Sequence, residues 1–187
     1  MKKTIFFVVL AVLCLFFKVD GQVRAPLDWE HALSIGDRVP DFEFNNVLNY
    51  GKPVLRLSDF KGKAILIDFW ATWCGSCLAH IPEVMAMQRA YGRRLQVLAV
   101  NGSMREYRVM LERFLKKRVG FNAEFIVPVI YQDTLLRRAF PRRAIPHYVW
   151  IGPDGRVKAI TGSDALKEDN FAKLVAGYSL NLKVKED

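Results

Sequence analysis

Uninterrupted apolar runs alternate along the chain with longer segments whose apolar positions recur every three or four residues. Ala64-Ile65-Leu66-Ile67-Asp68-Phe69-Trp70 is apolar except for Asp68, the pattern of a central strand buried on both faces. Leu95 to Val100 reads as a second core strand, Phe125 to Tyr131 as a third and His147 to Ile151 as a fourth. Cys77 to Tyr91 reads as a helix ending near Gly92, and Ser103 to Arg118 as a helix with Tyr107, Met110, Leu111, Phe114 and Leu115 on one side. Thr134 to Phe140 reads as a short helix and Asp164 to Ala176 as a last one. Gly152-Pro153-Asp154-Gly155 carries hairpin-turn chemistry, so Arg156 to Ile160 is expected to return antiparallel to the fourth strand. Ahead of the first core strand, Asp41-Phe42-Glu43-Phe44 alternates as a strand does, Asn49 to Pro53 is a turn, and Val54 to Leu57 is a second short strand. Ser58 to Lys63 then makes a turn or short helix. Together these describe an α/β sheet with a mixed edge, without internal repeats.

The first residues follow another logic. Lys2 and Lys3 precede the apolar run Ile5 to Phe17, and Val19-Asp20-Gly21 places small residues at −3 and −1, the layout of a secretory signal cleaved before Gln22. The run falls short of the roughly 17–25 residues of a spanning helix, which makes an uncleaved anchor the lesser alternative. Acylation of Cys14 is disfavoured because Leu13 stands where a small residue is wanted. The chain thus divides into a signal peptide (1–21), a polar lead segment (22–34), one domain (35–177) and a tail (178–187) without a stop signal, as in a piece of a longer chain.

Composition then narrows the class. The 51% hydrophobic and 25% charged content excludes a disordered or fibrous chain. A net charge of +9 is dispersed in pairs such as Arg93-Arg94, Arg137-Arg138 and Arg142-Arg143 rather than in a stripe with interleaved aromatics. That dispersal reads as a solvated surface and argues against a nucleic-acid partner. With Cys14 in the leader, an exported chain keeps Cys74 and Cys77 in an oxidising compartment.

These two cysteines lie three apart where a strand gives way to a helix, a spacing that lets the sulfurs close a small ring at the helix start. Free backbone N–H groups and the positive helix end favour a thiolate there. Cys74 is expected to be the exposed attacking sulfur and Cys77, one turn inside, the sulfur that resolves the mixed disulfide, with Trp70 and Trp73 shielding one side. A zinc site would have to recruit two of His31, His80 and His147 and remains a weaker alternative. Leu78 stands where haem attachment needs a histidine, and so tight a ring stabilises little as a structural disulfide. Asp68 is costly in a core strand unless its pKa rises or it finds a hydrogen-bond partner in the backbone. His80 is a candidate for tuning a thiol.

Asp68-Phe69-Trp70-Ala71-Thr72-Trp73-Cys74-Gly75-Ser76-Cys77, with Pro82 beyond, resembles the active-site segment of thioredoxin-fold oxidoreductases. Val39-Pro40-Asp41-Phe42, Leu57 to Lys63 and the helix inserted between Val100 and Phe125 resemble the TlpA/ResA branch of the AhpC/TSA-related family, over about residues 35 to 177. The resemblance implies a thioredoxin-like fold: a central mixed β-sheet flanked by helices, an N-terminal β-hairpin extension and an inserted helix. It implies a protein-disulfide reductase or isomerase of the periplasm that uses no cofactor, with protein thiols and disulfides as substrates and a membrane or periplasmic electron donor upstream. Contact with a membrane would come only through an uncleaved N-terminal segment.

Residue by residue, the resemblance implies a proton-transfer role for Asp68 facing Cys77. It also implies a cis-proline at Pro146 opposite the Cys74–Cys77 disulfide, and substrate contacts at Trp73, Gly75, Ser76 and the backbone of Ile145. Ser76 departs from the proline usual in thioredoxins, which leaves reduction, oxidation and isomerisation open. Among alternatives, a thiol peroxidase of the peroxiredoxin class wants Thr or Ser where Ala71 stands, and a non-catalytic metal- or partner-binding module would lack exchange activity.

Overall fold

A computed structural model of the protein describes residues 31–117 and 127–185. In chain order its strands and helices are β1 (Glu43–Phe44), β2 (Val47–Leu48), β3 (Leu55–Arg56), β4 (Ala64–Trp70), α1 (Gly75–Tyr91), β5 (Leu95–Asn101), α2 (Arg108–Lys117), β6 (Val129–Ile130), α3 (Leu135–Ala139), β7 (His147–Ile151), β8 (Val157–Thr161) and α4 (Glu168–Val175). The main sheet runs β2-β6-β5-β4-β7-β8, and β1 pairs with β3 in a separate two-stranded ribbon. β4 lies parallel to β5 and antiparallel to β7, which makes the sheet mixed about its most buried strand.

Period-two alternation along β4 sorts its side chains into two cores. Ala64, Leu66 and Trp70 face the layer of Leu78, Ile81, Val84 and Met85 from α1 and Phe171 and Leu174 from α4. Ile65, Ile67 and Phe69 face the opposite layer, built by Leu136 and Ala139 of α3 with Phe42, Phe44, Leu55 and Phe60 of the N-terminal segment. Each Leu, Ile, Val, Met or Phe among them taken fully from water stabilises the fold by roughly 1.5–3 kcal/mol. The α1 helix is anchored by a polar contact as well. Gln88 donates to Leu95 O at 3.1 Å and accepts from Val97 N at 2.6 Å. Along β5, only Ala99 and Val100 pair with β6, so the Gln88 amide completes the ladder where β5 has lost its neighbour.

The buried strands at 64–70 and 147–151 match their expected bounds, whereas amphipathic or short elements shift. The third core strand contracts to Val129–Ile130, and the leader, most of the lead segment and residues 118–126 fall outside the described residues. The inserted helix begins at Arg108 instead of Ser103 because Asn101 and Glu106 hold the intervening loop in bonds of their own. Tyr107 and Met110, expected on its buried side, are exposed, while Leu111 and Leu115 are buried. The last helix is broken: Ser163–Ala165 forms a 3-10 turn, and buried Asn170 donates to Ala165 O at 2.8 Å across the break. The β2 strand was not expected from the pattern, since two residues are too few to show a period.

The candidate redox site at the end of the central strand

β4 delivers the chain to the sheet edge at Trp70, and α1 begins five residues later. Cys74 is the N-cap of α1, in extended conformation (φ −82°, ψ 92°), a position usually filled by Ser, Thr or Asp. Its sulfur takes the place of the capping oxygen and accepts from Cys77 N at 3.2 Å. Sγ of Cys74 also lies 3.6 Å from Ser76 Oγ. Cys74 and Cys77 are joined in a disulfide with S–S 2.02 Å and Cα–Cα 5.3 Å. Cys74 was expected to be exposed, yet it is only 5% exposed, against 1% for Cys77. Cys74 is more accessible than Cys77 but lies under cover. Trp73 does not supply that cover. It is 70% exposed, and Trp70 alone of the two tryptophans is buried.

Asp68 is in register with Ala99 and Tyr148 on the neighbouring strands. By alternation it lies on the β4 face that carries Leu66 and Trp70, the face packed against α1 and Cys77. Its Oδ1 makes no hydrogen bond among the described residues, so the backbone-bonded alternative does not hold for that atom. Burial pushes its carboxyl up to about 7. Ile145–Pro146 is a cis peptide bond and leads into β7. His80, one turn past Cys77, is engaged with Glu83 at 3.4 Å. Among the described residues no group of three or more His, Cys, Asp or Glu could hold a metal ion.

The chain matches the Redoxin family over residues 34–175. It belongs to the Redoxin family. Within it, this redoxin is 30% identical to the thiol-disulfide oxidoreductase ResA of Geobacillus kaustophilus over 139 residues, 74% of this chain and 75% of that one. It is 28% identical to ResA of Bacillus subtilis over 136 residues, 72% and 71% of the two chains. Among solved structures, the thiol:disulfide interchange protein DsbE of Chlorobium tepidum superposes with a TM-score of 0.62 at 26% identity, covering 78% of this redoxin and 99% of that protein. The thioredoxin-like fold and the ResA-like kinship implied by the sequence motifs both hold.

Three polar groups of the redoxin site were not foreseen. Glu106 is buried and accepts from Thr72 N at 3.3 Å, from Thr72 Oγ1 and from Asn101 Nδ2 at 2.5 Å, tying the loop before Cys74 to the end of β5. Tyr148 places a buried hydroxyl, without a hydrogen-bond partner among the described residues, on the strand position opposite Asp68. The Tyr148 hydroxyl is held far above its ordinary pKa, first by burial and then by the nearby Asp68 and Glu83 carboxyls. Lys185 of the tail donates to Ala144 O at 2.5 Å and lies 3.5 Å from His147 Nδ1, bracing the turn that contains Pro146. None of these has a local signature: Thr72 lies 34 positions from Glu106, Ala144 lies 41 from Lys185, and Asp68 faces Tyr148 only across the sheet.

Proposed function

We propose that this redoxin reduces protein disulfides outside the cytoplasm, with Cys74 as the attacking sulfur and Cys77 as the resolving one. The observation that carries the reading is the sulfur-capped helix start, where Cys77 N donates to Cys74 Sγ at 3.2 Å. In the dithiol form that N–H and the helix dipole favour a thiolate on Cys74. The Cys74 thiolate attacks one sulfur of the substrate disulfide. A mixed disulfide forms and the first substrate thiolate leaves. The Cys77 thiol gives its proton to the Asp68 carboxylate, whose pKa of about 7 suits the exchange, and the Cys77 thiolate attacks Cys74 Sγ. The second substrate thiolate leaves, and two electrons have passed from the dithiol to the substrate. A dithiol donor upstream, in the membrane or periplasm, restores the cysteines.

Trp73, Gly75, Ser76 and the backbone of Ile145 are assigned to substrate contact, and the cis Pro146 to the wall beside the disulfide. The direction follows from charge and burial. Both sulfurs are buried, no Lys, Arg or His side chain among the described residues bonds to either, and Asp68 adds a potential negative charge on the same face. These features disfavour thiolates and favour the disulfide, so the reduced protein is a willing donor. Peroxide chemistry draws no support from Ala71, which brings no hydroxyl. Location outside the cytoplasm rests on the leader at 1–21, and no described helix is long and apolar enough to cross a membrane.

Reduction of insulin by the reduced protein tests the reading. The parent is expected to precipitate insulin chains, Cys74→Ser to be inactive, and Cys77→Ser to accumulate a covalent complex that dithiothreitol releases. Equal activity of Cys74→Ser and the parent would contradict it.

A further inference from the structure

Next to the disulfide lies a cleft of about 400 Å³ whose basic wall takes no part in the sulfur exchange itself. Trp73, the chain neighbour of Cys74, and Ile145, which precedes the cis-proline, form two of its sides. The rest of the wall is dominated by Arg137, Arg142 and Arg143, and none of the described residues lining the cleft is acidic. A single-sign lining in a concave surface focuses the field and raises the local concentration of the opposite charge.

The cleft is built rather than incidental. The Arg142 guanidinium stacks 3.7 Å over the Phe69 ring, and its Nη1 donates to Phe140 O at 3.4 Å. Gly102 leaves the room it occupies: a Cβ there would sit 2.9 Å from Arg142 Nη2. Gly102 is itself pinned by its N–H on Trp70 O at 2.8 Å, so the glycine fixes the guanidinium against the end of the central strand. Asp133, an acid that feels the Arg142 charge, directs its oxygens to Leu135 N and Leu136 N at the start of α3. Arg137 and Arg143 are exposed, and Trp73 presents a flat apolar face that is 70% exposed.

We propose that this cleft binds the carboxylates of an acidic peptide segment flanking the substrate's reacting cysteine, so that disulfides in acidic sequence are preferred. Guanidinium groups match carboxylates in bidentate geometry, and an exposed indole gives the peptide a stacking surface. The proposal rests on the reductase reading and specifies its substrate class.

Two disulfide-linked peptides of equal length test it, one with Glu and one with Gln flanking each cysteine, reduced by the dithiol form of the whole chain. At low salt the acidic peptide is expected to react about tenfold faster, an advantage that shrinks as salt screens the charges. Arg143→Gln and Arg137→Gln should each cut the ratio of the two rate constants severalfold. Arg93→Gln, an exposed position beyond the far end of α1, removes the same net charge and should leave the ratio alone. Equal rates for the two peptides, or an equal fall of the ratio in Arg93→Gln, would overturn the cleft assignment while leaving the reductase reading intact. Reduction of neither peptide would remove both.

Discussion

Asp68 is the single residue whose environment most constrains the chemistry. Its carboxyl is shifted from 3.8 to about 7 by burial, so between these values the native protein holds a proton that the unfolded chain has lost. The sign follows: stability is greatest on the acid side of that window and falls as pH rises through it, by up to about 4 kcal/mol in all. Asp68→Asn should flatten the dependence between pH 4 and 7, as read by urea unfolding of the oxidised protein, and should slow insulin reduction near neutral pH. An unchanged pH–rate profile in the variant would remove its proton-transfer role. Tyr148 gives a second test at this scale. Its hydroxyl is buried without a hydrogen-bond partner among the described residues, so Tyr148→Phe is expected to leave the melting temperature unchanged or raise it, worth roughly 1 kcal/mol. A clear loss of stability would mean the hydroxyl has an essential partner.

At the scale of elements, two side chains hold the site in place from a distance. Gln88 serves as a missing strand for β5, and Gln88→Leu would strand Leu95 O and Val97 N in the core. A cost of about 2–4 kcal/mol in chemical denaturation is expected, since each buried backbone group left unpaired loses roughly 1–3 kcal/mol. Glu106 accepts three hydrogen bonds, two of them from Thr72 in the loop that ends at Cys74. Glu106→Gln replaces one acceptor oxygen with a donor. Exchange through Cys74 is expected to slow severalfold with a stability loss of about 1–3 kcal/mol, and stopped-flow labelling of the thiol measures it.

These elements also show what the sequence could reveal. The strands at 64–70 and 147–151 were legible because burial on both faces leaves an unbroken apolar run. The cysteine pair and Asp68 were legible because each breaks a local rule: a thiol at a helix cap, a carboxylate in a core strand. Gln88, Glu106, Lys185 and the Arg142 stack were not, because their meaning lies in partners 5 to 73 positions away. The inserted helix was misjudged at its start because loop bonds to Asn101 and Glu106 overrode its periodicity.

For the whole molecule, the sheet, the two cores and the braced loops converge on one sulfur pair. The Redoxin match over 34–175 spans the same segment as the two cores, so the fold and the kinship describe one unit. Burial of both sulfurs and a carboxyl on the face behind Cys77 favour the bonded form over free thiolates, and they outweigh the single backbone donor that favours a thiolate on Cys74. The equilibrium reduction potential of the Cys74–Cys77 couple, read against glutathione or dithiothreitol buffers, tests that claim most directly. A value near that of thioredoxin, about −270 mV, is predicted, and one near the −120 mV or so of a strong oxidant would contradict the account.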